Sequence, residues 1–183
     1  MIEILEGRLP GYLQLRPKIH GDPRGMFVKP YEQDRFVELG LPTQWPERYY
    51  SRSHRGVIRG MHLQLPPTDH DKLVYCVRGS ALDVVVDMRV GSPAYGAYEI
   101  LELDDQQWVT VFVPRGLAHG FAALTDDTVM AYAVTSQHDP VNDVGIRWNS
   151  LPIPWPFDHP LISSRDATLP EFADFRSPFV YGS

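Results

Sequence analysis

The stretch Arg55-Gly-Val-Ile-Arg59-Gly60-Met-His62-Leu-Gln64-Leu-Pro-Pro67 decides the fold, together with Lys72 just after it and Pro114-Arg-Gly116-Leu-Ala-His119-Gly-Phe121 downstream. It reads as strand, so side chains alternate between faces: Arg59 and Met61 are expected on one, Gly60, His62 and Gln64 on the other. That second face is polar where a core should be apolar. A lone histidine on a strand is ordinarily a hydrogen-bonded structural residue, but an Arg, a Gln and a Lys lie close to this one in sequence. Apolar strands on either side would bury the group, and unpaired polar groups in such a place are costly. The pattern therefore predicts a reaction or ligand site divided over several strands of one barrel.

Working outward, short apolar runs punctuated by 17 prolines and 14 glycines read as many strands joined by turns. Leu82, Val84, Val86 and Met88 share one face of a strand whose other face carries Asp83, Val85, Asp87 and Arg89, and Gly91-Ser-Pro93 ends it. Further strands are expected at 73–78, 98–103, 108–113, 119–124 and 128–135, a rhythm that suggests a sandwich or barrel. One short peripheral helix is expected over 32–39, with Phe36 and Leu39 docked on a sheet. From about residue 140 the rhythm gives way to Leu151-Pro-Ile-Pro-Trp-Pro-Phe157 and a polar tail. Trp148, Trp155 and Phe157 need burial, so this part is expected to be an ordered C-terminal flap.

The 183 residues suit a single domain over residues 1–183 with a good core. A hydrophobic share of 43% against 22% charged excludes a largely disordered chain. The net charge of −6, without a basic block, argues against nucleic acid or an anionic membrane as partner. An anionic ligand must then be held by a few local Arg and Lys side chains. A single cysteine, Cys76, leaves no intramolecular disulfide and no thiolate metal cluster. The start Met-Ile-Glu-Ile-Leu-Glu-Gly lacks the features of a signal peptide, and the cytoplasm is the expected compartment.

Gly60-x-His62-x-Gln64 followed by Pro114-x-Gly116-x-x-His119 resembles the two halves of the cupin barrel signature. The resemblance implies an all-β, double-stranded β-helix, the cupin-type jelly roll. In metal-binding cupins the first half supplies two histidines and then an acid. Here Gln64 takes the place of the second histidine and the cation Lys72 lies where the acid is expected, so no metal and no other cofactor is expected.

A closer resemblance is to the dTDP-4-dehydrorhamnose 3,5-epimerase family. It rests on Asp22-Pro-Arg24-Gly-Met-Phe27, Gly56-Val-Ile-Arg59-Gly-Met-His62-Leu-Gln64, Lys72, Asp83-Val-Val-Val-Asp87-Met-Arg89, Pro114-Arg-Gly-Leu-Ala-His119-Gly-Phe, Tyr132, Gly145-Ile-Arg-Trp148, Trp155-Pro156 and Ser163-Ser-Arg-Asp166, in order over roughly residues 10–170. The resemblance implies epimerisation of a nucleotide-linked 4-keto-6-deoxyhexose at C3, C5 or both, by a homodimer. It implies His62 as base, Asp166 as its orienting partner, Tyr132 as the opposing acid and Lys72 near the ketone oxygen. Such chemistry needs a base, an acid on the opposite face and a stabiliser of the enolate oxygen. Arg59 is the candidate for the diphosphate, with Arg24 reaching across a dimer interface. Phe27, Gln64 and His119 complete the substrate-binding set, although His119 is equally open to a structural role at the strand ends.

Three positions depart from the family. Glu47-Arg48-Tyr49 stands where Gln-x-Asn is usual, putting Glu47 and Tyr49 among the ligand contacts. Lys29 stands where a Glu usually helps to hold thymine; an ammonium cannot accept from the thymine N3–H, so weaker thymidine recognition is expected. His138 replaces a second Tyr six residues after Tyr132, which bears on which carbon is epimerised. A 3,4-ketoisomerase on the same sugar class, or a non-catalytic carbohydrate-binding cupin, are the alternative functions.

Overall fold

The computed structural model describes residues 2–182. Its strands are β1 (Glu3–Glu6), β2 (Leu13–Arg16), β3 (Ile19–Asp22), β4 (Gly25–Val28), β5 (Glu47–Ser53), β6 (Ile58–Gln64), β7 (Lys72–Arg78), β8 (Ser80–Asp87), β9 (Tyr98–Asp104), β10 (Thr110–Val113), β11 (Leu117–Ala123), β12 (Thr128–Val134) and β13 (Asp143–Gly145). Two short helices, α1 (Gln33–Glu38) and α2 (Ser164–Ala167), and a 3-10 turn at Phe172–Asp174 complete it. The expected all-β jelly roll is therefore found.

Two antiparallel sheets face each other, ordered β1-β2-β10-β7-β12-β5 and β13-β6-β11-β8-β9, with β3-β4 a separate hairpin. Alternation gives each strand two jobs. Val74, Val111, Met130, Val85 and Phe121 meet in the core between the sheets. On β8, Val84 and Val86, followed by Met88, turn outward and are covered by Ile146, Ile153 and Phe179 of the C-terminal segment. The back of the six-stranded sheet, with Leu15, Leu73 and Phe112, is covered by Ile2, Phe36 and Trp45. Burying the alternate face of a strand makes register costly to shift, since a one-residue slip would exchange the inner and outer sets.

The C-terminal segment packs as a flap, with Trp148, Trp155 and Phe157 half-buried where burial was expected. Trp155 donates its indole N–H to the carbonyl of Trp148 at 2.8 Å and joins the outer cluster. Helix α1 buries Phe36 as expected, but Leu39 is the C-cap and stays half-buried. No helix among the described residues is long and apolar enough to cross a membrane.

Strand β6 departs from the alternation its sequence suggests. His62 pairs with His119, but Arg59 pairs with Phe121, so Gly60 and Met61 stand opposite the single residue Gly120. This bulge turns Arg59 to the same side as His62, and both line one cavity; the simple alternation put them on opposite faces. Only glycines fit the crossing. Gly60 has φ of 136°, and a Cβ added there would lie 2.5 Å from the Gly120 Cα.

Candidate active site

A cavity of about 620 Å³ opens between the two sheets. His62 and Arg59 reach it from β6 and His119 from β11; Lys72, Tyr132, Glu47, Tyr49 and Ser51 reach it from β7, β12 and β5 of the opposing sheet. Residues far apart in sequence thus arrive from two walls, which suits a reaction needing groups on both faces of a substrate.

His62 Nε2 lies 2.7 Å from Asp166 Oδ1. Asp166 is held by its backbone and its neighbours: Ser163 caps α2 by accepting from the Asp166 N–H at 3.0 Å, and Asp166 Oδ2 accepts from the Gly60 N–H at 3.1 Å. Backbone bonds from Ile58 N to Leu161 O (3.0 Å) and from Leu161 N to Gly56 O (2.8 Å) fix the segment against the sheet. Burial alone would raise the Asp166 carboxyl, but the His62 hydrogen bond and charge and the Gly60 and Ser163 bonds outweigh it and hold the group below the usual carboxylate range. It therefore stays ionised beside the imidazole.

Lys72 is buried at the start of β7, and its ammonium donates to the His62 carbonyl at 3.2 Å, a contact from one sheet to the other. Burial pushes the group down to about 8, partly opposed by the negative charges of Asp143 and Asp83. Tyr132 stands opposite Tyr49 in the β12–β5 ladder and stacks on it, with ring centroids 4.7 Å apart. Its hydroxyl lies 3.3 Å from Ser51 Oγ. Burial raises this phenol well above its ordinary value, so it keeps its proton at neutral pH.

The remaining expected residues divide into three groups. Glu47 and His138 lie together, Glu47 Oε2 accepting from the His138 N–H at 2.8 Å at the cavity wall. Gln64 and His119 line the cavity but are already engaged. The Gln64 amide donates to the carbonyls of Thr68 and Gln137 and accepts from the Asp139 N–H, so it clamps two loops at the cavity wall. His119 Nε2 meets the buried Asp83 at 2.6 Å, and its ring stands edge-on to Tyr132. Arg24, Phe27 and Lys29 are outside the cavity of their own chain. They sit on or beside the β3–β4 hairpin, where Arg24 pairs with Asp22 at 2.5 Å in the open and Phe27 and Lys29 line a separate hollow with Tyr31 and Tyr50. The hairpin pairs with neither main sheet, and none of the three residues lines the main cavity.

Four polar lining residues were given no role from sequence: Ser51, His70, Asp143 and Arg165. Asp143 pairs with Arg165 at 3.0 Å and lies 3.8 Å from His138 Nδ1. His70 carried a readable signal, since it lies two residues before Lys72 and shares its side of the chain. Arg59, Lys72 and Arg165 bring three cations to the cavity, beside the carboxylates of Glu47, Asp143 and Asp166. Among the described residues no three His, Cys, Asp or Glu side chains gather in a way that could hold a metal ion.

The sequence model of dTDP-4-dehydrorhamnose 3,5-epimerase matches residues 6–174. The chain is 40% identical over 161 residues to a dTDP-4-dehydrorhamnose 3-epimerase of Streptomyces niveus, covering 86% of this chain and 78% of that one. It is 34% identical over 176 residues to the dTDP-4-dehydrorhamnose 3,5-epimerase of Shigella flexneri, covering 94% and 97%. NovW, a 4-keto-6-deoxy sugar epimerase from the novobiocin cluster of Streptomyces spheroides, has a solved structure that matches with a TM-score of 0.91 at 38% identity, over 94% of this chain and 88% of that one. With the model matching most of the chain and relatives of this name matching nearly their whole length, the chain belongs to the dTDP-4-dehydrorhamnose 3,5-epimerase family.

Proposed function

We propose that this chain epimerises a nucleotide-linked 4-keto-6-deoxyhexose beside its ketone. The observation that carries the reading is the facing of two proton-transfer groups across one cavity: His62 with Asp166 on one wall, and Tyr132 on the other with Lys72 nearby. His62 removes the proton from a carbon next to the ketone, and the electron pair moves into an enolate. Asp166 stabilises the imidazolium so formed, and the Lys72 ammonium stabilises the enolate oxygen. Tyr132 then gives its proton to the opposite face of the carbon, restoring the ketone with inverted configuration, after which the His62 imidazolium releases its proton to solvent and solvent reprotonates the phenolate. Each group changes charge only within the cavity, where fixed partners are already in place.

Arg59 suits the diphosphate. Its Nε donates to Ser53 Oγ at 3.1 Å and one terminal nitrogen to the Arg52 carbonyl at 3.2 Å, which braces the guanidinium, and among the described residues no carboxylate pairs with it. Arg24 and Phe27 act as substrate-binding residues only in a homodimer, in which the hairpin of one subunit reaches the site of the other. Their exposure on a small hairpin outside both sheets supports that arrangement.

His138 favours epimerisation at a single carbon, because an imidazole held at its backbone by Glu47 replaces a phenol that would line the path of the turning sugar. The name of the Streptomyces niveus relative, a 3-epimerase, points to C3. The test is incubation of dTDP-linked 4-keto-6-deoxyglucose with the protein in heavy water, followed by NMR of the product. Deuterium at C3 with inversion is the expected result. Exchange at C3 and C5 means the double epimerase, migration of the carbonyl means a ketoisomerase, and no exchange with any nucleotide would leave only a binding protein.

A further inference from the structure

His70 lies at the turn into β7, two residues before Lys72, and its ring lines the main cavity. Its protonation pattern follows from its neighbours. The Ser136 hydroxyl has one proton, and it goes to the Thr68 carbonyl at 2.6 Å. Toward His70 Nδ1, 3.1 Å away, the Ser136 oxygen can therefore only accept, so Nδ1 carries the ring proton. Burial, together with the charge of Lys72, drives the imidazole down to about 3 and keeps it neutral; Asp143 opposes this, while His138 and Arg115 reinforce it. Nε2 is left as a lone-pair acceptor with no hydrogen bond to any described residue.

The polar groups around it make such an acceptor useful. Lys72, Arg59 and Arg165 are all donors, while the carboxylates of the lining are engaged: Asp143 with Arg165, Asp166 with His62 and the Gly60 N–H, and Glu47 with the His138 N–H. A sugar hydroxyl needs somewhere to donate. A second free carboxylate beside a developing enolate would repel it, whereas a neutral ring nitrogen would not. In a 4-keto-6-deoxyhexose the hydroxyl vicinal to the ketone is on C3, since C5 carries the ring oxygen and the methyl-bearing carbon.

We propose that His70 is a specificity-determining residue whose Nε2 accepts a hydrogen bond from the C3 hydroxyl of the substrate. This rests on the epimerase reading, in which Lys72 stands at the neighbouring ketone oxygen.

The experiment compares solvent deuterium incorporation into dTDP-linked 4-keto-6-deoxyglucose and into its 3-deoxy analogue. For one neutral hydrogen bond the wild type is expected to favour the hydroxyl-bearing substrate by about tenfold in kcat/KM. His70→Asn keeps an amide where Nδ1 meets Ser136 but has nothing at the place of Nε2, so its preference should fall to within about twofold. His70→Gln puts an amide near the place of Nε2 and should restore it. A purely structural role would be preserved by Asn, so a full preference surviving in His70→Asn overturns the proposal. Equal rates on both substrates in the wild type overturn it without any variant. Absence of all exchange in the wild type removes the reaction itself, an outcome distinct from exchange with an unaltered preference.

Discussion

His62 and His119 stand directly opposite each other on β6 and β11, yet each turns its Nε2 to a different carboxylate, Asp166 at 2.7 Å and Asp83 at 2.6 Å. The two pairs are not equivalent. The His62 side chain is 24% exposed and the His119 side chain 5%. A general base has to reach a C–H bond and later exchange its proton, which only the more open ring can do. His119, edge-on to Tyr132, instead fixes the wall against which the acid stands.

His62→Ala is accordingly expected to lower kcat by about 10²-fold or more while dTDP binding, followed by calorimetry, stays close to wild type. Asp166→Asn should cause a smaller loss, because the base is present but poorly oriented and its imidazolium less stabilised. Activity of His62→Ala within about tenfold of wild type would take His62 out of the mechanism.

Tyr132→Phe separates the two halves of the reaction. Removal of the proton by His62 survives, and with no donor on the far face the proton returns to the side it left. Deuterium should enter the substrate without inversion, as read by product NMR; normal inversion in this variant would assign the acid to another group.

Lys72→Met should lose activity and gain stability. The folded-state value is depressed to about 8 from the usual 10.5, so the unfolded chain binds the proton more tightly. Below about 8 the fold bears the full cost of burying the cation, and between 8 and 10.5 stability rises with pH. Removing the cation should therefore stabilise the protein at neutral pH by about 3 kcal/mol at most, less the lost bond to the His62 carbonyl. Urea titration at several pH values measures this. In the wild type the same ionisation should make kcat/KM fall as pH rises through about 8.

Gly60→Ala is expected to cost at least about 2 kcal/mol, since the new methyl meets backbone that has no rotamer by which to yield. Because the Gly60 N–H also holds Asp166, activity should fall with stability. Chemical denaturation and kcat of the same preparation test both.

Lys29→Glu should tighten dTDP binding severalfold by restoring an acceptor for the thymine N3–H. Calorimetry with dTDP and UDP checks it, and unchanged dTDP affinity would detach Lys29 from base recognition.

Strands β7 and β12 were legible as apolar runs between turn residues, and β8 by the alternation that sets Val84 and Val86 under the C-terminal segment. His62, Lys72, Tyr132 and Asp166 were legible through motif resemblance, and all four line the cavity. The direction of Arg59 was not, because alternation fails at a bulge and the bulge depends on Gly120, sixty residues away. The engagement of Gln64 was hidden for a similar reason: its partners at 137 and 139 are brought to it by the fold, and nothing local announces them. Asp143 reaches the cavity from a three-residue strand too short to leave a periodic signature.

The carboxylate that orients the base comes from α2, 104 positions beyond His62, on the segment that closes over the finished barrel. A growing chain can pair both sheets before this segment has left the ribosome, and until then His62 lacks its partner. The orienting of the base thereby waits on α2, so a chain truncated ahead of Ser163 would carry a base without its partner and an outer face stripped of Phe179.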